Sequence, residues 1–460
     1  MRHRLTLILQ YAILLILGIA PLWLKWSFAP RPFTGTYVFG FVIVTLMLTT
    51  VVLWIAGECV GWRRLLTDKW IFGWWVCLGM LCLWSTLSYF WAYGLVDYAG
   101  LAETTTLQLI TITLFLVLVR AITPSLHLLC GVLVITALLN GIVGGLQVWF
   151  QSDIGLTWLG EFSLNPALSG VSVLEANGER WLRPHGLLPH PNMLGGLLSL
   201  GVLASVPFVM RDGWQKWFGL VVGMANFWFL LLTFSRGGWL GFAIGALVGI
   251  FFIMREKHWL RRLAPLFVGM LIVGSVFVFL YAPFLQSRVG IGEQNTELRS
   301  IADRVVYNNI ALEAIRQYPL TGVGAGNYPW FSAVYLVQNT DYDLNGNNVH
   351  NIYLGITAEL GFVGMVFFVG MLLCMLGGFW QQRQHDTVDR AALLAGVIAW
   401  GVMGIFDHFM WTLVLTQTLW LALMVAVMSV PYDSGVAVGN GTGMRSDVGT
   451  DTQSPPVTTT

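Results

Sequence analysis

Long apolar runs alternate with short polar connections along almost the whole chain. A helix that crosses a bilayer needs about 20 mostly apolar residues, because hydrocarbon offers no partner to an open backbone N–H or C=O group. Applied along the sequence, this criterion predicts twelve transmembrane helices and an all-α, polytopic integral membrane protein. The predicted helices lie at about 5–24, 37–56, 71–90, 104–121, 126–149, 191–210, 216–234, 237–254, 263–282, 351–379, 391–408 and 411–430.

The first apolar run follows Arg2 and Arg4, as the core of a signal peptide would. A signal peptide ends at a small-residue cleavage site, whereas here Gly18-Ile19-Ala20 continues directly into Pro21 and Trp23. We therefore expect this run to be a retained helix.

The composition supports a membrane location. Of the 460 residues, 56% are hydrophobic and 10% are charged, and the mean hydropathy is +0.72. This is too little charge for an ordinary soluble domain. The net charge of +1 argues against electrostatic capture of nucleic acid. The five cysteines have no CxxC or CxxH spacing, and no acidic pair is clustered, so the sequence predicts neither a zinc site nor another metal site.

The distribution of Lys and Arg predicts the orientation, since cytoplasmic loops carry an excess of these residues. With a cytoplasmic N-terminus, 15 of the 24 basic residues lie inside, so both termini are predicted to be cytoplasmic. Eight of the nine exterior residues are arginines, the residue type that best binds phosphate groups. The nine are Lys25, Arg31, Arg180, Arg183, Arg236, Arg288, Arg299, Arg304 and Arg316.

Two exterior connections are too long to be simple turns, and they span about 150–190 and 283–350. The second is a large loop between predicted helices 9 and 10. After residue 430 the chain is rich in Gly, Ser, Thr and Pro, with almost no apolar run. We therefore expect one transmembrane domain over 1–430 and a disordered cytoplasmic tail over 431–460.

The larger exterior loop contains a predicted short helix. Ser300 and Asp303 have the spacing of a capping box, which predicts that this helix begins at Ser300 and ends before Pro319. Arg304 and Asn308 are four residues apart and therefore share one helical face.

A glycine-rich run, Gly322-x-Gly324-x-Gly326, follows this predicted helix. It superficially resembles a phosphate-binding loop, but no second helix follows at the spacing of a nucleotide-binding fold. We therefore interpret the run as a tight turn.

His350 stands where a polar, asparagine-rich stretch passes into an apolar run, at the exterior mouth of a predicted helix. A neutral imidazole there can accept a proton and act as a general base, because its usual pKa is about 6.5. An isolated interfacial histidine often only hydrogen-bonds a loop carbonyl, so the interpretation depends on its neighbours.

Arginines occur at similar places on the same side. Arg236 lies between two apolar runs, where a charge costs a few kcal/mol unless it is paired, faces water or extends to the surface. Arg183, His185 and His190 stand at the entry to another predicted helix. Several arginines can hold a diphosphate leaving group while a histidine takes a proton from an attacking hydroxyl. Such a site requires no metal.

These segments resemble the O-antigen ligase and O-antigen polymerase superfamily (Wzy_C type). The matching motifs are Arg183-Pro184-x-Gly186-Leu187-x2-His190-Pro191-Asn192, Ser235-Arg236-Gly237-Gly238-Trp239, the Arg304 helix with Tyr318-Pro319-Leu320-Thr321-Gly322-Val323-Gly324, and His350-Asn351-x-Tyr353-Leu354-x4-Glu359-Leu360-Gly361. They lie within about 181–364, and the predicted topology matches over nearly the whole chain up to Pro431.

The resemblance implies a GT-C-like glycosyltransferase that needs no metal or other cofactor. It implies transfer of a glycan from undecaprenyl diphosphate on the outer, periplasmic face of the plasma (inner) membrane. His350 matches the family's proposed base, and Arg183, Arg236 and Arg304 match arginines thought to engage the lipid diphosphate. The supporting positions are His190, Asn192, Asn308, Asn351, Tyr353 and Glu359.

We therefore expect an O-antigen ligase-like enzyme whose acceptor is a lipid A core sugar or another surface glycolipid, with inversion at the transferred sugar. Two alternatives keep the chemistry and change the acceptor, to another glycan repeat unit in a polymerase or to a protein side chain in a protein O-oligosaccharyltransferase. A secondary transporter is a further alternative, but we find no repeat between the halves, and the candidate ionisable residues lie at the exterior edge rather than mid-bilayer.

Overall fold

The computed structural model describes residues 2–19, 68–92, 95–168, 170–176, 178–288, 295–339, 346–382 and 387–429. These residues are mostly helical. The helices are α1 (Arg2–Ile19), α2 (Lys69–Leu87), α3 (Leu95–Ile122), α4 (Leu126–Phe150), α5 (Pro191–Val209), α6 (Trp214–Leu232), α7 (Arg236–Ile253), α8 (Trp259–Arg288), α9 (Asn295–Gln317), α10 (Tyr328–Asn339), α11 (Ile352–Gln381), α12 (Val388–Met403), α13 (Phe409–Thr412) and α14 (Val414–Val427). One hairpin, β1 (Val173–Ala176) and β2 (Glu179–Leu182), precedes α5.

Eight of the described helices are long and apolar enough to cross a membrane, which supports a multi-pass membrane protein. These segments are Lys69–Phe90, Thr105–Ile122, Leu126–Phe150, Pro191–Val209, Trp214–Leu232, Arg236–Ile253, Trp259–Gln286 and Ile352–Gln381. The predicted helix at 37–56 and the predicted tail at 431–460 lie outside the described residues. The total of twelve and the orientation therefore stay predictions.

The predicted helix at 391–408 extends too far. In the structure α12 ends at Met403, and residues 404–406 form a turn that leads to Asp407 and His408. The apolar residues on both sides hide this break from a length criterion, although a buried carboxylate needs polar partners that the middle of a membrane helix lacks.

Helix α5 lies at the centre of the bundle. In its membrane-length part, 89% of the residues are buried. It packs against α4, α6, α7 and α12, while α2 packs along α11. Helix α5 is apolar on all its faces, as expected for a helix enclosed by others. By contrast, only 17% of the membrane-length part of α8 is buried, so α8 lies at the periphery. The entry to α5 is therefore the centre of one end of the bundle.

Helix α9 begins at Asn295, five residues before the predicted start. The expectation that Ser300 caps this helix is therefore wrong, because Ser300 and Asp303 lie inside it. A capping-box spacing can also occur within a helix, so the motif alone does not locate an N-terminus. The second half of α9 packs on α10 and on the start of α11 through a small apolar cluster. The cluster is Tyr307, Ile310, Ala311, Ala314, Val323, Tyr328, Phe331, Leu336, Val349 and Ala358.

The glycine-rich run is a turn, as predicted, and it docks on α11. Helix α10 begins directly after the run at Tyr328, so the expectation that no second helix follows is wrong. Gly322, Gly324 and Gly326 all have positive φ, the conformation that glycine adopts most readily. The N–H of Val323 donates to the Ala358 carbonyl, and the N–H of Gly324 donates to the Glu359 carbonyl, both at 2.9 Å. These bonds join the run to α11 just before its interruption at Gly361, which has φ 66° and ψ −173°.

Replacing Gly361 with alanine is expected to destabilise this junction. An added Cβ would overlap the Leu320 carbonyl, and the backbone conformation is one that alanine rarely adopts. We expect a loss of about 1–3 kcal/mol from backbone strain, seen as a lower thermal unfolding midpoint of the purified protein. The matched control is Gly79→Ala in α2, where an added Cβ meets nothing within 4 Å. An unchanged midpoint for Gly361→Ala would contradict this assignment.

Candidate active site

Several chain connections meet at one end of the bundle. The Nε of Arg183, just after β2, donates to the Thr233 carbonyl between α6 and α7 at 2.9 Å. The N–H of Ile352, at the start of α11, donates to the Gly404 carbonyl in the turn after α12 at 2.8 Å. The start of α7 also borders this turn, since a Cβ added at Gly237 would lie 3.5 Å from the Cβ of Phe406.

Asp407 is the centre of a polar network at this end, and it is 7% exposed. Its Oδ2 accepts from Nδ2 of Asn192 at 2.8 Å, and its Oδ1 accepts from the N–H of His408 at 2.9 Å. Nδ1 of His350 lies 3.8 Å from the same Oδ1. The Oδ1 of Asn192 in turn accepts from an Nη of Arg183 at 3.0 Å. We call Arg183, Asn192, His350, Asp407 and His408 the Asp407 network.

His350 is held by the start of α11. The next residue, Asn351, is the N-cap, and its Oδ1 accepts from the N–H groups of Tyr353 at 2.9 Å and Leu354 at 3.1 Å. The hydroxyl of Tyr353 donates to the Gly401 carbonyl of α12 at 2.7 Å. Asn351 and Tyr353 therefore orient the segment that carries His350. The His350 side chain keeps 28% of its surface exposed, so a small substrate can reach the imidazole.

His408 lies beside His350, with 5.1 Å between the ring centroids. Its Nδ1 is 2.7 Å from the hydroxyl of Thr412 on α13, a contact that fixes the orientation of the ring. His350 therefore comes together with the adjacent residues Asp407 and His408, which lie far from it in the sequence.

The charges of the site follow from burial and from these neighbours. Burial by itself would raise the pKa of Asp407, but His350, His408 and His190 outweigh it, so the pKa of Asp407 lies well below its usual range. Burial lowers the pKa of His408 to about 4 despite the attraction of Asp407. Burial and the charge of Arg183 lower the pKa of His185 to about 4. At neutral pH, Asp407 is therefore a carboxylate, and His408 and His185 are neutral.

Arg183 is a buried guanidinium, only 5% exposed. Besides its bonds to Thr233 and Asn192, it donates to the hydroxyl of Ser172 at 2.9 Å. Three acceptors in three directions match the planar fork of arginine. Arg183 therefore carries a fixed positive charge at the edge of the Asp407 network.

Arg236 is the first residue of α7 and is exposed. Ser235 caps this helix, and its hydroxyl accepts from the N–H of Gly238 at 3.2 Å. Ser235 also lies against Gly195 of α5, where an added Cβ would be 2.9 Å from the Cβ of Ser235. The N-termini of α5 and α7 are therefore adjacent, and each helix start carries a partial positive charge.

His190 is the N-cap of α5, and its Nδ1 accepts from the N–H of Asn192 at 3.1 Å. This cap places Asn192 in the first turn, from which its amide bridges Arg183 and Asp407. Both supporting positions in this loop thus lie at the site.

The structure does not join the remaining candidates to the Asp407 network. Arg304 is partly exposed on α9, one turn before the cluster that packs against α11, and no hydrogen bond joins its side chain to another described residue. Asn308 also lies on α9, and its Oδ1 is buried without a described hydrogen-bond partner.

Glu359 lies in α11, and its carboxylate accepts from Nε1 of Trp411 at 3.1 Å and from the N–H groups of Gly326 and Tyr328. These hydrogen bonds of Glu359 hold α13 and the glycine-rich run against α11.

Sequence reasoning missed Asp407 and His408. A signal was available, because two adjacent polar residues interrupt an apolar stretch in which the next charged residue before them is Arg390. An ionisable residue inside a supposed membrane helix is by default a candidate functional residue. The length criterion instead placed both residues inside the predicted helix at 391–408.

Comparison with known proteins adds an independent observation. The family model described as O-Antigen ligase (Wzy_C) matches residues 219–369, a segment that contains Arg236, Arg304 and His350. A protein of Rickettsia felis named "Putative polysaccharide ligase" is 23% identical over 251 residues, which cover 51% of this chain and 57% of that protein. The teichuronic acid biosynthesis protein TuaE of Bacillus subtilis is 24% identical over 247 residues, which cover 48% of this chain and 46% of that protein.

The chain thus spans about half the length of the curated relatives it matches. The matched family segment runs from within α6 to just past the middle of α11 and includes two of the helix starts that meet at the site. Together with the membrane-length helices, the family match over residues 219–369 and the polysaccharide-related relatives make this chain similar to the O-antigen ligase superfamily.

Proposed function

We propose that this protein is an O-antigen ligase-like, metal-independent glycosyltransferase at the outer face of the plasma membrane. It moves a glycan from undecaprenyl diphosphate to a hydroxyl of a lipid A core sugar or another surface glycolipid. The observation that carries the proposal is the Asp407 network, which links a histidine to a buried arginine beside the arginine-bearing start of α7.

His350 is the proposed general base. The Asp407 carboxylate lies 3.8 Å from Nδ1, so it favours the tautomer that carries the proton on Nδ1. The lone pair of Nε2 is then available to the acceptor hydroxyl. The 3.8 Å separation exceeds a hydrogen bond, as catalytic contacts often do before substrate binds. Asp407 therefore acts through His350 as a positioning residue.

The diphosphate is proposed to bind at the start of α7. Arg236 combines a guanidinium with the partial positive charge of a helix N-terminus, two features that favour a phosphate group. Arg183 adds a fixed positive charge from the adjacent loop, and Arg304 adds a third from α9. These charges stabilise the departing diphosphate, so the reaction as proposed requires no metal ion.

The proposed step is a single displacement. The acceptor oxygen forms a bond to the anomeric carbon, while the bond from that carbon to the diphosphate oxygen breaks. The hydroxyl proton passes to His350, and the electron pair of the broken bond leaves with the diphosphate. Attack opposite the leaving group inverts the anomeric carbon.

An apolar groove next to the start of α7 supports a polyprenyl donor. The groove has a volume of about 650 Å³ and lies between α6, α7 and α8, with Leu231, Trp239, Met270 and Phe277 among its lining residues. Trp239 is one helical turn from Arg236. A lipid whose chain occupies this groove would place its diphosphate near Arg236.

Reconstitution tests this function directly. The purified protein in liposomes receives undecaprenyl-diphosphate-linked glycan, a core glycolipid acceptor and a chelator, and the products are analysed by size and mass. We expect one glycan to be added to the acceptor, with release of undecaprenyl diphosphate. An unchanged donor would overturn the proposed reaction, and a ladder of longer glycans would identify a polymerase instead.

The role of Arg236 can be tested separately. Replacing Arg236 with glutamine removes a positive charge from the proposed diphosphate site, and we expect kcat/KM for the donor to fall by about 10²-fold. The matched control is Arg255→Gln, which removes an exposed arginine just beyond the opposite end of α7. Equal effects of the two variants would contradict a local role for Arg236.

A further inference from the structure

Three side chains that commonly bind metals come together in the Asp407 network. His350, Asp407 and His408 can each offer one ligand atom, and these atoms all lie within 4.8 Å of one another. Asp407 is buried, whereas both histidines are partly exposed, so an ion could enter from the same side as the proposed acceptor. The sequence predicted no metal site, because the three residues come from two separate segments.

The distance between the ligand atoms of His350 and Asp407 fits a single metal ion bound between them. Nδ1 of His350 and Oδ1 of Asp407 are 3.8 Å apart. Two ligands that each lie about 2.0–2.2 Å from a zinc ion are separated by a similar distance. The Nδ1 atom of His350 is also shielded from solvent and has no hydrogen-bond partner among the described residues, although it points towards the carboxylate. A cation between these two atoms would satisfy both.

The surrounding contacts resemble those that orient metal ligands. Thr412 contacts Nδ1 of His408 at 2.7 Å, which leaves Nε2 of that ring available. Asn192 donates to Oδ2 of Asp407 at 2.8 Å, which leaves Oδ1 directed towards His350. Such outer contacts usually hold the ligands of protein metal sites in place.

We propose that His350, Asp407 and His408 bind a divalent transition metal ion of the zinc class, and that this ion inhibits the enzyme. Two imidazole nitrogens and one carboxylate favour Zn²⁺, Co²⁺ or Ni²⁺ over Mg²⁺ or Ca²⁺, which prefer oxygen ligands. A neutral imidazole has one free lone pair. If a metal takes the lone pair of His350, no base remains for the acceptor hydroxyl. The inhibition rests on the function proposed above, whereas the binding does not.

Binding is measured on the full chain in detergent, without an affinity tag. Isothermal titration calorimetry measures the binding of Zn²⁺ and of Mg²⁺, and visible absorption measures the binding of Co²⁺. We expect one Zn²⁺ per chain, a Co²⁺ spectrum that Zn²⁺ abolishes, and no Mg²⁺ binding at the same site. His408→Gln should weaken Zn²⁺ binding at least about tenfold.

The matched control is His127→Gln. His127 also lies close to a carboxylate, with its Nδ1 2.7 Å from Oδ1 of Asp389. It lies near the start of α4 and pairs with the start of α12, at the opposite end of the bundle from Asp407. This variant should bind Zn²⁺ like the wild type. Unchanged affinity in His408→Gln, or an equal loss in both variants, would overturn the metal site.

Two further readouts separate the parts of the proposal. Zn²⁺ should raise the thermal unfolding midpoint of the wild type and of His127→Gln, and it should raise that of His408→Gln much less, because a ligand stabilises only the fold that binds it. In the transfer assay, the Zn²⁺ concentration that halves the wild-type rate should rise at least about tenfold for His408→Gln. Binding without inhibition would overturn the inhibitory role. Zn²⁺ binding by a chain that transfers no glycan would overturn the proposed function and leave the metal site standing.

Discussion

Replacing His350 with alanine is expected to lower kcat for glycan transfer by about 10²- to 10⁴-fold, the range that general base catalysis usually contributes. The imidazole is the partly exposed member of the Asp407 network and stands at the start of α11. Without it, the acceptor hydroxyl loses the group that is proposed to take its proton. The measurement is the initial rate of transfer in liposomes at saturating donor and acceptor.

The control for this variant is His127→Ala, which removes the histidine of the His127–Asp389 pair at the other end of the bundle. Its rate is expected to stay close to that of the wild type. The thermal unfolding midpoints of both variants show whether the fold is intact. A wild-type rate for His350→Ala would exclude His350 as the base.

The second large effect is expected from Asp407→Asn. An amide at this position can donate a hydrogen bond towards Nδ1 of His350, which favours the tautomer that leaves Nε2 protonated and unable to act as a base. We expect kcat to fall by about 10²- to 10⁴-fold, the upper value being that known for the equivalent change in a Ser-His-Asp triad. The KM for the donor should change little, because the proposed diphosphate site is built from arginines.

Asp407→Glu distinguishes positioning from a purely structural role. Glutamate keeps the negative charge, so it should restore part of the lost kcat. A purely structural role predicts a similar loss of kcat for both variants, in parallel with their unfolding midpoints. A change in KM alone would contradict the link between Asp407 and His350.

The helices of the bundle can be predicted well from the sequence, because the length of an apolar run depends only on neighbouring residues. The starts of α4, α5, α6 and α7 lie within two residues of the predicted ones. The prediction fails where an isolated polar residue needs distant partners. Asp407 is stabilised as a carboxylate by Asn192 and His350, which are 215 and 57 residues away, so its role appears only in the folded chain.

The sequence also predicts part of the candidate site. Residue type and position at a helix entry predict Arg183 and His350, whereas Asn192 follows only from the family resemblance, and the structure brings all three into one network. Glu359 was selected with them, but its carboxylate bonds Trp411 and the glycine-rich run. Proximity in sequence to His350 did not distinguish a reacting group from one that holds neighbouring segments together.

The segment before α11 shows why local motifs fail at helix ends. The spacing of Ser300 and Asp303 satisfied the capping-box pattern, yet α9 begins five residues earlier. The glycine-rich run is a turn, as predicted, but α10 begins directly after it at Tyr328, so the expectation that no second helix follows is wrong. The run docks on Ala358 and Glu359 of α11, next to the break at Gly361 that the apolar pattern conceals.

The central claim is that a hydroxyl activated by His350 displaces the lipid diphosphate in a single step. The most direct test is the anomeric configuration of the newly formed bond, determined by NMR on the product that the wild-type protein makes in the presence of a chelator. The account predicts the configuration opposite to that in the donor. Retention of the donor configuration would contradict direct attack by the acceptor hydroxyl.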